Sequence, residues 1–226
     1  MTSIVVFGVG QWASLAHFYF THDSPHDVEA FTVDRDYLAI TELHGLPVVA
    51  FDEITQLYPP GDFSLFIPMS FKRMNHLRAQ KYQEAKEKGY DLVSYVSSGA
   101  TTFSDFQCGE NCFILEDNTI QPFVEIGDDV VMWSGNHIGH HTVIGDHVMI
   151  TSHVVISGCC TIEPYSFFGV NATIRDETVV ARETLVGAGV VILKDTEPFS
   201  VFKHPGAEPA GFRSDEIRSI SHKSGG

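Results

Sequence analysis

The chain has 226 residues with Lys+Arg 14 against Asp+Glu 29, a formal net charge of −15. That balance excludes a nucleic-acid partner, which calls for a basic surface, and is a poor match to an anionic membrane. Hydrophobic content of 43% and charged content of 19% describe an ordinary soluble protein large enough to bury a substantial core.

In chain order, Ser3-Ile-Val-Val-Phe7 reads as a buried parallel strand. It leads into Gly8-x-Gly10-x-x-Ala13 and a helix ending near Phe20. No basic start and long apolar stretch of a signal peptide precede it, and no apolar run approaches the roughly twenty residues of a transmembrane helix. Further strands are expected at Val28–Val33, closed by Asp34, and at Pro47–Phe51, Phe63–Pro68 and Leu92–Val96. Ser70 to Lys88 reads as a helix with Ser70 as its N-cap and Gly89 as its stop. Alternating strand and helix predict a small Rossmann-like α/β domain over residues 1–97.

The glycine turn lets a backbone approach a phosphate, and the helix N-terminus favours the negative charge. Asp34 lies where a ribose or base contact is usual. A unit under 100 residues is too small for a full dinucleotide domain. Gly8, Gly10 and Asp34 are therefore read as a nucleotide or nucleotide-sugar site, with a purely structural turn as the other reading.

Ser97-Ser-Gly-Ala-Thr-Thr is a junction. Beyond it a hydrophobic beat of six begins. Stepping from Ile114 gives Ile120, Ile126, Met132, Ile138, Ile144, Ile150, Ile156, Ile162, Phe168, Ile174, Val180, Val186 and Ile192, none polar. Two residues before each stands a small or β-branched residue in most cases, with Asn118 and Asn136 as an expected amide ladder one coil apart. Helices and ordinary sheets do not repeat every six residues, whereas a parallel β-helix of hexapeptides does, at eighteen residues per coil. The beat runs over residues 98–198. The tail, 199–226, either caps the last coil or is disordered.

Of the four cysteines, Cys112 and Cys160 fall in the inward register and read as buried thiols. Adjacent Cys159 and Cys160 point apart on a strand, and a reducing cytoplasm fits. Five of twelve histidines crowd between positions 137 and 153: His137, His140, His141, His147 and His153. The frame turns His137 outward and puts the rest at corners, with His140 between Pro122 and Gly158 on neighbouring coils, about 4.8 Å away. His147 falls beside Asp129 as a pair of little value if exposed. A solvated corner is the bland reading for any one histidine. The density argues for chemistry.

Asn136-His-Ile-Gly-His-His-Thr-Val-Ile-Gly145, His153-Val-Val-Ile-Ser-Gly158 and Ile4-Val-Val-Phe-Gly-Val-Gly10 make the chain resemble bacterial sugar acetyltransferases. These join a Rossmann-like domain to a left-handed β-helix. They N-acetylate UDP- or GDP-4-amino sugars, and relatives O-acetylate sialic acid. The resemblance implies left-handed winding, acetyl-CoA as co-substrate, a homotrimer with active sites between neighbouring β-helices, and a nucleotide near Gly8, Gly10 and Asp34. It puts the catalytic histidine two residues after the inward Ile, at His140. The next position, acidic in the best-matching relatives, is His141, which leaves His141 itself as an alternative base. His153, Gly158 and Gly187-Ala188-Gly189 are expected to border the acetyl-CoA site, with a backbone N–H near Gly158 facing the oxyanion. Val201-Phe-Lys-His-Pro-Gly-Ala departs from the family's usual Gly-Asn-Pro-Ala type turn.

Direct transfer with a histidine base is expected, because the frame sets no Ser or Cys beside a base. Cys159 is the reserve nucleophile. N-acetylation of a nucleotide-linked 4-amino-6-deoxy sugar leads. Sugar O-acetylation, a metal centre of three shared histidines as in trimeric hexapeptide carbonic anhydrases, and a non-catalytic sugar-nucleotide binder stand behind it. No metal ligand set is assigned.

Overall fold

The computed structural model describes residues 2–209 and 211–216. Residues 217–226 of the tail lie outside it. The first 94 residues fold as β1 (Ser3–Phe7), α1 (Gln11–Asp23), β2 (Asp27–Val33), β3 (Glu42–Leu43), β4 (Leu46–Ala50), α2 (Ile54–Leu57), β5 (Phe63–Phe66) and α3 (His76–Glu87). The sheet order is β3-β4-β2-β1-β5, parallel except for the β3–β4 pair. β1 lies between β2 and β5 and is buried because Ile4, Val5 and Val6 face packed layers on both sides.

Two expectations for this region are corrected. The helix starts at His76, not Ser70. Arg73, Met74 and Asn75 adopt left-handed φ values of 53°, 49° and 66°, which a helix excludes. Asn75 is turned this way because its amide is engaged elsewhere: Nδ2 donates to Tyr165 O and Ser166 O at 3.2 and 3.3 Å. The strand expected at 92–96 is split. Leu92 makes only an isolated bridge to Leu65, while β6 (Tyr95–Val96) pairs with Phe113–Ile114 beyond the junction.

From β6 onward the chain winds into a three-sided left-handed parallel β-helix. Its strands β7 to β20 are two residues long, one every six residues from Phe113–Ile114 to Val191–Ile192, and each pairs with the strand eighteen residues away. All members of the inward beat from Ile114 to Ile192 are buried, as are all those two residues before them. The amide ladder is present: Asn136 Nδ2 donates to Asn118 Oδ1 at 2.9 Å, and Asn136 Oδ1 accepts from Val154 N at 2.8 Å. Past the beat, β21 (Val201–Phe202) adds to β19 (Leu185–Val186), so the start of the tail lies along the last coil.

What the hydrophobic period does not reveal is how the corners are made. Every sixth residue from Asn111 to Gly189 has positive φ, between 54° and 66° for the non-glycines. Asn, Asp and His tolerate this region better than other side-chain-bearing residues. His141, His147 and His153 all occupy it, so part of the histidine density is backbone geometry.

The outward residues differ among the three faces. On one, Tyr95, Phe113, Val131 and Met149 are buried. They pack with Phe20, Phe31 and Phe66 of the first domain, and Trp12 of α1 meets Trp133 edge-on at 5.2 Å. α3 seals the adjoining edge. Arg78 is fully buried and donates to Asp129 Oδ1 at 3.0 Å, Asp129 O at 2.9 Å, His147 O at 3.1 Å and Asn75 Oδ1 at 3.1 Å. Asp129, itself fully buried, also accepts from Asn111 Nδ2 at 2.7 Å and meets His147 Nδ1 at 2.8 Å. The His147–Asp129 pair is thus no weak exposed pair; it belongs to the buried network that joins the two domains.

Removing one member of such a network strands a charge and costs about 3–5 kcal/mol. Arg78→Met is expected to lower unfolding free energy in urea by about that amount, and Arg78→Met with Asp129→Asn to recover part of the loss. A second check lies at the junction, where Asp23 accepts from Ser98 N at 2.9 Å, Tyr95 Oη at 2.6 Å and Ser97 Oγ at 3.3 Å. The bonds from Ser98 and Tyr95 hold its carboxyl down at about 2. A folded pKa below the unfolded one contributes stability at neutral pH that drains as the pH falls. The melting-temperature gap between wild type and Asp23→Asn is therefore expected to close between about pH 4 and about pH 2.

Candidate functional site

Two places in the molecule gather the candidate residues. The first lies at the carboxyl ends of β1 and β2, where an open α/β sheet builds its ligand crevice. Gly8 takes φ +108°, a conformation that needs glycine, and its N–H is fixed to Thr32 O at 2.7 Å. Gly10 caps α1 without a side-chain bond. These residues, with Gln11, Asp34, Ser70, Lys72 and Lys81, line a cleft of about 510 Å³. Gly8, Gly10 and Asp34 are thereby brought together. Sequence reasoning missed Lys81, whose Nζ lies 2.8 Å from Asp34 Oδ1 and 2.7 Å from Glu84 Oε2. Burial alone would lower the Lys81 pKa, but the two carboxylates outweigh it and raise it, so the ammonium stays charged. It came from α3, far along the chain, with no motif to mark it.

The second place is the prism edge carrying positions 123, 141 and 159. His140 and His141 are both exposed there, their Nδ1 atoms 3.1 Å apart and rings edge-on. His140 N donates to Gln121 Oε1 at 2.9 Å, which fixes its backbone, and Phe123 lies against the His141 ring at 4.7 Å. A Cβ on Gly158 would stand 2.9 Å from His140 Cε1 and 3.0 Å from Nε2, so the missing side chain makes the notch in which the imidazole sits. His140 lies between Pro122 and Gly158 on the neighbouring coils, as the frame requires: His141 N donates to Pro122 O at 3.3 Å, and Cys159 N to His140 O at 2.8 Å.

The structure corrects the expectation that no nucleophile stands beside a base. Cys159 is exposed, with Sγ 3.9 Å from His140 Nδ1. The eighteen-residue step from His141 to 159 was the signal that could have found it.

The remaining candidates do not join this edge. His153, Ala188 and Gly189 are exposed, and His153 and Gly189 share the corner column of residues 117, 135 and 171, one edge round the prism. Gly135 makes room for the His153 ring, where a Cβ would stand 2.6 Å from Cε1. Gly187 is paired to the tail, its N donating to Phe202 O at 2.7 Å, with a Cβ meeting that oxygen at 2.9 Å. His147 lies on the third edge, under α3.

No family model matches the chain. Solved structures do. PerB from Caulobacter crescentus, in complex with CoA and GDP-perosamine, is similar at 22% identity over 89% of this chain and 93% of that one, with a TM-score of 0.78. The acetyltransferase domain of PglB from Neisseria gonorrhoeae FA1090, in complex with acetyl coenzyme A, matches at 20% identity, 88% and 94% coverage and a TM-score of 0.73. WeeI from Acinetobacter baumannii AYE matches at 18% identity, 89% and 96% coverage and 0.56. At these identities the shared property is the fold, over both domains.

The notch gives a direct check on the site. Gly158→Ala keeps an ordinary backbone but is expected to push the His140 ring out, read as a shift of its imidazole NMR resonances at nearly unchanged thermal stability. Gly139→Ala, whose Cβ would collide with the Gly158 backbone, is expected to cost about 1–3 kcal/mol of stability instead.

Proposed function

We propose that the protein is an acetyl-CoA-dependent N-acetyltransferase acting on the amine of a nucleotide-linked 4-amino-6-deoxy sugar. One observation carries the reading: an imidazole in a glycine notch on a β-helix edge, held through Nδ1 by its neighbour so that Nε2 is left for a proton. The support from likeness is that similar folds hold CoA with GDP-perosamine, or acetyl coenzyme A.

His140 is the base. With His140 in the Nδ1–H tautomer, that N–H donates to the Nδ1 lone pair of neutral His141 and Nε2 is free to take the proton of the attacking ammonium-derived amine. His141 thus takes the orienting part that an acidic residue plays in the resembling family. Imidazole suits the task because its ordinary pKa is near neutrality, and such a base contributes typically 10²–10⁴-fold. The tetrahedral oxyanion takes a backbone N–H near Gly158. The cleft at Gly8 and Gly10 takes the nucleotide diphosphate, with Lys72 and Lys81 supplying positive charge and Asp34 the ribose contact. Residues 1–97 thus serve the nucleotide sugar and residues 98–198 the acyl transfer.

The geometry supports a trimer. In a three-sided prism, the edge bearing His140 is opposite the face covered by the first domain. The cleft and the imidazole of one chain therefore lie on opposite sides of the prism, and a neighbouring copy is what brings a cleft to an imidazole. His153 and the Gly187–Gly189 corner, one edge away, border the acetyl-CoA along the intervening groove. No described helix is long and apolar enough to cross a membrane, and four free cysteines suit a reducing cytoplasm.

The test is CoA thiol release from acetyl-CoA with GDP- and UDP-4-amino-6-deoxy sugars. His140→Ala is expected to lose at least about 10²-fold in kcat while still binding CoA, and His141→Ala to lose less. Reaction with a free sugar hydroxyl or sialic acid, and with none of the amino sugars, would reassign the protein to O-acetylation. Full activity in His140→Ala would remove the base from the proposal.

A further inference from the structure

The exposed edge holds more than a base. His140, His141 and Cys159 each offer one ligand atom, and these atoms all lie within 4.8 Å of one another, the one such His, Cys, Asp or Glu trio among the described residues. The separations are 3.1 Å between the two nitrogens and 3.9 Å from sulfur to His140 Nδ1. Tetrahedral zinc with Zn–N of about 2.05 Å and Zn–S of about 2.3 Å places nitrogens about 3.3 Å apart and nitrogen and sulfur about 3.6 Å apart. These two gaps are within a few tenths of an ångström of those values, and the third, between His141 and Cys159, is under 4.8 Å. Two ligands are sequence neighbours turned by the left-handed corner at His141, and the third is locked one coil above by the Cys159 N to His140 O bond.

We propose that this edge is a divalent metal site, with His140, His141 and Cys159 of one chain as three ligands and an open fourth position, selecting a thiolate-accepting ion of the zinc type. Two imidazoles and a thiolate are a borderline-soft donor set that zinc or cobalt accepts and magnesium or calcium does not. The binding step balances simply. The ion takes the place of the proton between the two Nδ1 atoms, which moves to Nε2. The Cys159 thiol releases its proton to water, so one proton leaves per ion bound, and binding weakens as the pH falls.

This goes beyond acetyl transfer and has a consequence for it. A neutral His140 coordinated through Nδ1 carries its proton on Nε2. It then has no lone pair for a sugar ammonium, so metal occupancy and base catalysis exclude each other on the same ring.

The test uses the full chain and Co²⁺ as the probe. One equivalent is expected to give tetrahedral visible bands and an intense near-ultraviolet thiolate-to-cobalt band, both reversed by Zn²⁺ and unchanged by Mg²⁺. Cys159→Ser is expected to lose the near-ultraviolet band, His141→Ala to weaken binding by about tenfold or more, and Cys108→Ser to keep both. No tetrahedral spectrum at one equivalent, or a thiolate band that survives Cys159→Ser, would overturn the proposal. Absorption does not depend on acetyl transfer. A chain that binds cobalt but acetylates nothing would therefore contradict the proposed function alone, and an active chain with no cobalt spectrum would contradict the metal site alone.

Discussion

A left-handed backbone step every six residues governs this molecule. It ends each two-residue strand, turns the chain by a third of a revolution, and returns every position beside itself one coil later. Between steps, the buried isoleucine stack supplies the cohesion; deleting any one such side chain removes the transfer energy of the lost atoms and leaves a cavity, together about 2–5 kcal/mol. The corner supplies the geometry. The exposed candidates His140, His141 and Cys159 stand together at one such corner.

That constraint explains both what the sequence reveals and what it conceals. The inward beat is legible because burial admits only apolar residues at Ile114, Ile120 and their successors, while the register two residues earlier tolerates a polar residue such as Asn136 where a ladder satisfies it. The placement of His140 between Pro122 and Gly158 follows from the same eighteen-step count. The meaning of histidine density does not. His141, His147 and His153 stand on three different edges. One meets His140 and Cys159, one is half-buried against Asp129, and one faces solvent beside Gly135. Crowding along the chain became separation in space.

The union of the two domains was the least legible feature. Arg78 and Asp129 are 51 positions apart and belong to segments of different period, so neither hydrophobic pattern points to the other. A weaker signal exists: the outward residue of every third strand, Tyr95, Phe113, Val131 and Met149, is apolar, while its counterparts Thr119, His137 and Thr161 on the other faces are not uniformly so. Read at eighteen rather than six, that stripe announces a covered face. The misplaced start of α3 has the same origin, since Asn75 serves the prism and not its own helix.

The stripe also means that the prism is not a free-standing module. Stripped of its first 94 residues, it would present a column of bare aromatic and aliphatic side chains to water and a carboxylate at Asp129 deprived of its guanidinium. Each half is the missing wall of the other, so a cut near residue 94 runs through a shared core and not between two finished ones.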